Sequence, residues 1–478
     1  MNYSQFLNMM PEALLVLWLV VVFAADFCLM KDEQKTKKLE LITMGALICQ
    51  TCLLFGLQEP QTAFGGIYVT STMVNVMKII LTAGTLIVVI MSHTWLKTND
   101  KLSGEFFMLV LSTLLGMYMM MSSGSFLMFF LGLEMASVPM ACMVAFDKKR
   151  KNSAEGAAKY ILVATFSSGV MLFGISFIYA ATGSLYFDNV ADALTTTPLT
   201  IMGLVFFFSG LGFKISLVPF HFWTADTYQG APTPVTGYLS VVSKGAAALT
   251  LCIILNKVFA SMIDLWNPLL WIVIVLSITI ANLFAIRQSE LKRFMAFSSI
   301  SQAGYIMLAV IGGDAQVGAT ALSFYVLVYV VANMAVFTVI SAIENNGGST
   351  EISGYNGLYS TNPKLALLMT LALFSLAGIP PFAGMFSKFF VFLAAVRGHE
   401  SAPFWPYFVV FIALVNTVVS LYYYLLIVKA MYITKEENPL PAFKLDCTTK
   451  LSLAICTLGI CLFGVVSCLY EWIASAAI

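Results

Sequence analysis

Four ionisable residues stand where apolar sequence surrounds them on both sides. Glu134 lies in FFLGLEMASVPMA, Lys214 in FFFSGLGFKISLVPF, Lys244 in GYLSVVSKGAAALTL and Lys388 in GIPPFAGMFSKFFVF. If these stretches cross a membrane, each charge costs about 2.5–3.5 kcal/mol at the bilayer centre, and the four together on the order of 10 kcal/mol before compensation. A purely structural helix would use Leu there. Pairing Glu134 with one lysine answers for two of the four at most, because one carboxylate does not neutralise three ammoniums. Burial disfavours the charged form of an amine, so a lysine in such a place can take up and release a proton. The chemistry these residue types suggest is proton relay. Lys78 and Asp26 lie nearer the ends of their apolar runs and are weaker members of the set.

Polar residues gather near the lysines. His221, Thr224, Asp226, Thr233 and Thr236 follow Lys214, and Ser243 adjoins Lys244. Ser298, Ser299, Ser301 and Gln302 come close together further on, and Asn333 lies beyond them. They are suited to holding bridging waters, or to satisfying backbone groups freed by proline. Glu155 and Lys159 have the spacing of an ion pair on a helix surface. His93, His221 and His399 are too scattered for a metal cluster. Cys49 and Cys52 form a CxxC within an apolar run, with no second ligand pair nearby, and read as small apolar side chains.

The elements that position these residues are membrane helices. The chain has 478 residues, 60% hydrophobic and 10% charged, where soluble domains carry about 25% charged residues. The net charge of +1 gives no field for nucleic acid. The first apolar run is too long for a signal-peptide core, and no Lys or Arg precedes it. Hydropathy predicts about fourteen spans, at 11–30, 39–58, 74–96, 105–122, 125–146, 157–182, 199–228, 232–256, 268–286, 294–312, 316–343, 363–397, 405–432 and 449–474. Lysine and arginine collect after odd-numbered spans: Lys31, Lys35, Lys37 and Lys38; Lys97 and Lys101; Lys148, Lys149, Arg150 and Lys151; Arg287, Lys292 and Arg293. Loops after even-numbered spans are nearly free of them, apart from Lys257 and Arg397. The positive-inside rule then puts both termini on the outer side. The seventh and twelfth spans are unusually long and carry Pro219, and Pro380 with Pro381, in their middles, next to Lys214 and Lys388. Irregular backbone at that depth persists only inside protein or along a wet cavity. A broken helix in each half of a chain is the best sequence pointer to an ion path.

The blocks FFLGLE, GFKISLVPFHFWTADTYQGAPTPVTGYLS, SVVSKGAA, LKRFMAFSSISQAGY and SLAGIPPFAGMFSKFFVF resemble the antiporter-like subunits of respiratory complex I. EGAAKYILVATFSSGVMLFGISFIYAATGS and GYNGLYSTNPKLA favour the N-type branch of that family. The resemblance covers essentially the whole chain. It implies an all-α polytopic protein with two inverted five-helix repeats, spans 4–8 and 9–13, broken at spans 7 and 12. The corresponding units are an N-terminal three-helix segment (1–104), a first repeat (105–258), a second repeat (259–434) and a last helix (435–478). It further implies that Glu134 pairs with Lys214, that Lys244 is the central relay and that Lys388 serves the outer side. His221, Ser243, Ser298, Gln302 and Lys78 would be supporting polar groups. Gln302 stands where many N-type chains have His, and an amide carries no proton, so a relay there would need water. NADH, FMN and the iron–sulfur clusters would reside in partner subunits, with M-type and K-type membrane subunits as neighbours. The expected setting is a bacterial plasma membrane, and the expected work is proton translocation driven by quinone reduction elsewhere.

Two other classes compete. An Mrp-type cation/proton antiporter or a membrane-bound hydrogenase subunit shares the motifs and would differ in its partners. A transporter for an organic solute needs a convergent midplane pocket, whereas these lysines lie in series. A scaffold gains nothing from buried charge.

Overall fold

The computed structural model describes residues 3–57, 59–97, 102–148, 150–398, 404–436 and 439–477. Lys101, Lys149 and His399 lie outside the described residues. Hydrocarbon offers no partner to a peptide group, so a spanning chain satisfies its N–H and C=O groups within each segment. The result is almost wholly helical. In chain order the helices are α1 (Met10–Cys28), α2 (Lys35–Gly56), α3 (Thr72–Lys97), α4 (Ser103–Met121), α5 (Phe126–Val144), α6 (Lys151–Thr182), α7 (Phe187–Ala193), α8 (Pro198–Ile215), α9 (Trp223–Gly230) and α10 (Thr233–Tyr238). They continue as α11 (Lys244–Lys257), α12 (Ile263–Ala285), α13 (Leu291–Leu308), α14 (Ala315–Asn345), α15 (Leu358–Thr361), α16 (Pro363–Ala377), α17 (Ala383–Val396), α18 (Phe404–Tyr432), α19 (Cys447–Leu462) and α20 (Ser467–Ser475). A small antiparallel hairpin, β1 (Gln61–Ala63) and β2 (Tyr68–Thr70), joins α2 to α3 and pairs Ala63 with Tyr68.

Among the described residues, eleven helical stretches are long and apolar enough to span a membrane, or twelve if α19 and α20 count as one span bent by 87°. Fourteen spans are not reached by that measure, although every predicted span falls on helix. The tenth predicted span is α13, whose 18 residues include Lys292, Arg293, Ser298, Ser299, Ser301 and Gln302. The twelfth is divided between α16 and α17, of 15 and 14 residues.

Both predicted breaks are present. α8 ends at Ile215, where Ser216 takes φ 68° and its N–H bonds back to the Phe213 carbonyl. α16 ends at Ala377, where Gly378 takes φ 88° and bonds back to Phe374 and Ser375. A left-handed residue after the last turn is a common helix stop, and the prolines beyond it keep the helix from resuming at once. A third irregularity was not foreseen. The span Thr233–Lys257 passes through a π-helical turn at Leu239–Ser243, and Lys244 is the residue that follows it. Such turns are rare and frequently mark functional positions.

Burial sorts the spans. In an apolar 18-residue stretch of α3, the α10–α11 span and α14, 89%, 94% and 94% of the residues are buried, against 22% and 28% in such stretches of Gln5–Cys28 and α6. The first three form the core, and the last two give most of their surface to lipid or to neighbouring chains. The two cations that break the charge alternation are each paired: Lys257 with Asp188 at 2.7 Å and Arg397 with Asp314 at 4.0 Å. Asp26 is likewise tied to Lys35, at 2.8 Å.

α5, which carries Glu134, crosses α4 closely because both backbones are bare at the contact. A Cβ on Gly132 would lie 2.4 Å from the Met120 nitrogen, and one on Gly116 2.4 Å from the Ala136 nitrogen. Backbone cannot yield as a side chain can. Gly132→Val is therefore expected to destabilise by at least the ~1–3 kcal/mol typical of overpacking. Gly169→Ala on α6, with nothing within 4 Å of its Cβ, should leave the unfolding midpoint in mild detergent unchanged. Equal melting of the two variants would show that the α4–α5 crossing is not close-packed.

Candidate functional site

The broken helices place two lysines at helix C-termini. Lys214 lies in the last turn of α8. Lys388, on α17, turns back across the break and donates to the Ala377 carbonyl, the last residue of α16, at 2.9 Å. The final carbonyls of a helix lack intrahelical partners and carry the negative end of its dipole. Each break thus offers negative potential to an ammonium without a carboxylate.

Lys214 is 3% exposed and donates to Ser137 Oγ on α5 at 2.8 Å, with the Tyr160 hydroxyl of α6 at 3.4 Å. Glu134 is only half-buried and accepts from Ser168 Oγ of α6 at 2.5 Å. The expected Glu134–Lys214 ion pair is not formed. The carboxylate turns toward α6, and Ser137, one turn further along α5, takes the lysine instead. Glu134 stands one helical turn from Ser137, which holds Lys214, so a change in its charge reaches the ammonium through space.

Lys244 is 1% exposed and donates to Ser299 Oγ of α13 at 2.7 Å. Its ammonium lies 5.5 Å from the centre of the Tyr228 ring, and the Tyr228 hydroxyl meets Ser299 Oγ at 3.2 Å. Lys388 sits 4.9 Å from the centre of the Tyr305 ring. A ring face attracts a desolvated cation. Gln302 Nε2 donates to the Leu376 carbonyl at 3.2 Å and to the Tyr424 hydroxyl at 3.3 Å. Its Oε1 accepts from the Tyr325 hydroxyl, and Tyr424 in turn meets Ser298 Oγ at 2.5 Å. Gln302 and Lys388 therefore bind neighbouring carbonyls at the end of α16.

His221 lies in the break between α8 and α9, buried, within electrostatic reach of Lys244. Among the described residues its Nδ1 has no hydrogen-bond partner, and neither do Ser216 Oγ, Thr224 Oγ1, Ser243 Oγ, Ser301 Oγ, Tyr329 OH and Asn333 Oδ1. Buried polar atoms ordinarily find partners. Such orphans are the sites at which bound water can make up the missing bonds.

Lys78 stands apart from this group. It donates to Glu12 Oε1 at 2.6 Å, with both side chains buried, and the Tyr68 hydroxyl donates to Glu12 Oε2 at 3.0 Å. Sequence reasoning missed Glu12, because a carboxylate so close to the start of a span reads as a terminal group. It also missed Ser137, Tyr160, Ser168 and Tyr228. Serines and tyrosines in apolar runs carry no signal until the facing helix is known. At one end of the bundle the break is clamped by charge. Asp226 accepts from Lys159 at 2.6 Å and from Arg293 at 2.5 Å, and Lys159 also holds Glu155 at 2.7 Å, as its spacing predicted. Lys292 donates to the Ala231 carbonyl at 2.7 Å, and Glu344 accepts from Arg150 at 2.8 Å and from Thr233 at 2.6 Å.

Residues 123–420 match the family described as NADH:quinone oxidoreductase/Mrp antiporter, TM. A Phocaeicola vulgatus protein named NADH-quinone oxidoreductase subunit N is 55% identical over 482 residues, covering 100% of both chains. A chain of respiratory complex I from Thermus thermophilus, solved with bound aureothin, superposes with a TM-score of 0.79 at 30% identity, covering 96% of this chain and 98% of that one. A chain of the Mrp complex from Dietzia superposes at 0.84 over 98% and 97% of the two chains, but at 19% identity, a likeness of fold alone.

The Lys78–Glu12 pair yields a test of its own. Removing one partner of a buried pair strands the other charge and costs about 3–5 kcal/mol, whereas replacing both with apolar groups is often neutral. Glu12→Gln is expected to lower the unfolding midpoint in detergent clearly, and Glu12→Gln with Lys78→Met to recover most of the loss. A single variant as stable as the parent would mean that the pair does not hold α1 to α3.

Proposed function

This chain belongs to the NADH:quinone oxidoreductase/Mrp antiporter transmembrane family, and we propose that it is a proton-translocating membrane subunit of an NADH:quinone oxidoreductase complex. It works as part of that enzyme without holding a redox centre: NADH, FMN and iron–sulfur clusters belong to partner subunits. M-type and K-type chains are its membrane neighbours. It sits in a bacterial plasma membrane with its N-terminus on the outer side. Residues 1–104 form the N-terminal segment, 105–258 and 259–434 the two inverted repeats, and 435–478 the last unit.

The observation that carries this reading is that Lys214, Lys244 and Lys388 are all buried in the protein and all hydrogen-bonded to hydroxyl or carbonyl oxygens rather than to carboxylates. An ammonium held by a neutral dipole can surrender its proton without stranding a counter-ion. In the proposed sequence, quinone reduction elsewhere changes the charge next to Glu134. That change alters how well Lys214 keeps its proton across the Ser137 contact. The proton leaves the Lys214 ammonium, which becomes an amine, and binds Lys244. A second transfer carries it from Lys244 to Lys388, and release from Lys388 to the outer side resets the chain. Each step breaks one N–H bond and forms another, so charge is conserved at every stage.

In the intact complex, Lys244→Met is expected to keep NADH–quinone reductase activity while lowering the protons moved per electron by this chain's whole share. The check is proton uptake by inverted membrane vesicles, measured beside the electron-transfer rate. Unchanged stoichiometry would sink the relay. Purification with other antiporter-like chains and no flavin or iron–sulfur protein would instead mark a cation/proton exchanger.

A further inference from the structure

The relay needs a path between Lys244 and Lys388, and the side chain that sequence position suggests for it is unsuitable. Gln302 is fully engaged, with Oε1 taken by Tyr325 and Nε2 shared between Leu376 O and Tyr424. Its amide neither binds nor releases a proton at ordinary pH. In this geometry it is a strut between α13, α14, α16 and α18.

Tyr329 on α14 meets the requirement. It is 3% exposed, and its hydroxyl has no hydrogen-bond partner among the described residues. On one side it lies next to Ser299, the residue that accepts from Lys244: Asn333, one turn further along α14, donates to Ser240 Oγ at 2.7 Å, and Ser299 Oγ reaches the Ser240 carbonyl at 3.4 Å. On the other it lines a small cavity of about 10 Å³, the least that holds a single water, together with Lys388, Gln302, Tyr325, Ser375 and Ser387. Tyr325, one helical turn earlier, lines the same cavity but is committed to Gln302.

Resting on the proton-relay reading above, we propose that the Tyr329 hydroxyl, with one water in the adjoining cavity, is the connecting group that passes protons from Lys244 to Lys388. A hydroxyl both donates and accepts, so it conducts without ionising. The Lys244 ammonium gives a proton to Ser299 Oγ as Ser299 gives its own to the Tyr329 oxygen. Tyr329 releases its original proton to the water, and the water protonates the Lys388 amine. One N–H bond is lost at Lys244 and one gained at Lys388. Each hydroxyl ends with one proton, as it began.

Tyr329→Phe removes an oxygen that makes no hydrogen bond of ordinary length and only approaches Ser299, so assembly and melting should stay close to the parent. Its protons per electron should nevertheless fall to near the value of Lys244→Met, at retained electron transfer. Tyr325→Phe, which strands Gln302 Oε1, should lower the melting temperature and keep the stoichiometry. If Lys244→Met is deficient and Tyr329→Phe pumps like the parent, the inference is wrong and the relay reading survives. Equal pumping losses in both tyrosine variants also overturn it, since damage to the cavity in general would then be the cause. If Lys244→Met itself pumps normally, the relay reading fails first and takes this inference with it.

Discussion

An ammonium taken out of water must face oxygen, and the supply of oxygens in hydrocarbon governs this whole architecture. A regular helix has none to spare, because every mid-helix carbonyl already accepts from its own turn. The chain obtains them in two ways. It breaks α8 from α9 and α16 from α17, which frees carbonyls such as that of Ala377 for Lys388. It also lines facing helices with hydroxyls, so that Ser137 and Ser299 receive Lys214 and Lys244. Each break then needs cover, because loose backbone is not tolerated against lipid. That is why α14, the most thoroughly buried long helix together with the α10–α11 span, runs through the middle of the bundle, and why α13 is too polar to count as a span by composition.

Lys78 shows what the alternative looks like. Its carboxylate partner lies at 2.6 Å, with Tyr68 completing the second oxygen of Glu12. Even at an effective dielectric constant of 20, unit charges 4 Å apart attract by about 4 kcal/mol. A proton leaving such a lysine would strand the carboxylate and forfeit that energy. The pair suits a joint between α1 and α3, and is poorly suited to a step in a relay. Lys214 lies between the two cases. Glu134 is turned to Ser168, close enough to act on Lys214 and not bonded to it, so the lysine can be influenced from outside without being locked.

Much of this was legible in the sequence, and for definite reasons. Lys214, Lys244 and Lys388 stood out because no bland role explains a lone lysine in an apolar run. The breaks stood out because Pro219, Pro380 and Pro381 fall where a helix would otherwise continue. The surface pair of Glu155 and Lys159 followed from spacing alone, although its third member, Asp226, needed the fold. The rest depended on which helix faces which. Whether Glu134 meets Lys214 or Ser168 is decided by the packing of α5 against α6 and α8, and no local pattern records it. Tyr228 and Tyr329 resemble any buried aromatic until their hydroxyls are seen beside Ser299. The span count by apolarity and length falls short of fourteen for the same physical reason that makes the site work: α13, α16 and α17 give up apolarity or length to supply polar groups at depth.

Rigidity and polarity are distributed unevenly along the bundle, and the pattern bears on how charge moves. At the end bearing Arg150 and Lys292, the junction of α9 and α10 is tied down by Asp226 with Lys159 and Arg293, by Lys292 on the Ala231 carbonyl, and by Glu344 with Arg150 and Thr233. Deeper in, the side chains of His221, Thr224, Ser243, Ser301, Tyr329 and Asn333 carry buried polar atoms without a hydrogen-bond partner among the described residues. A clamped end beside an under-bonded interior fits a device whose helices hold still while hydroxyls rotate and waters rearrange. Gating then falls on the occupancy and orientation of a few hydrogen bonds. Such a gate can be set by a change of charge at Glu134, because an electric field reorients dipoles far more cheaply than it moves helices.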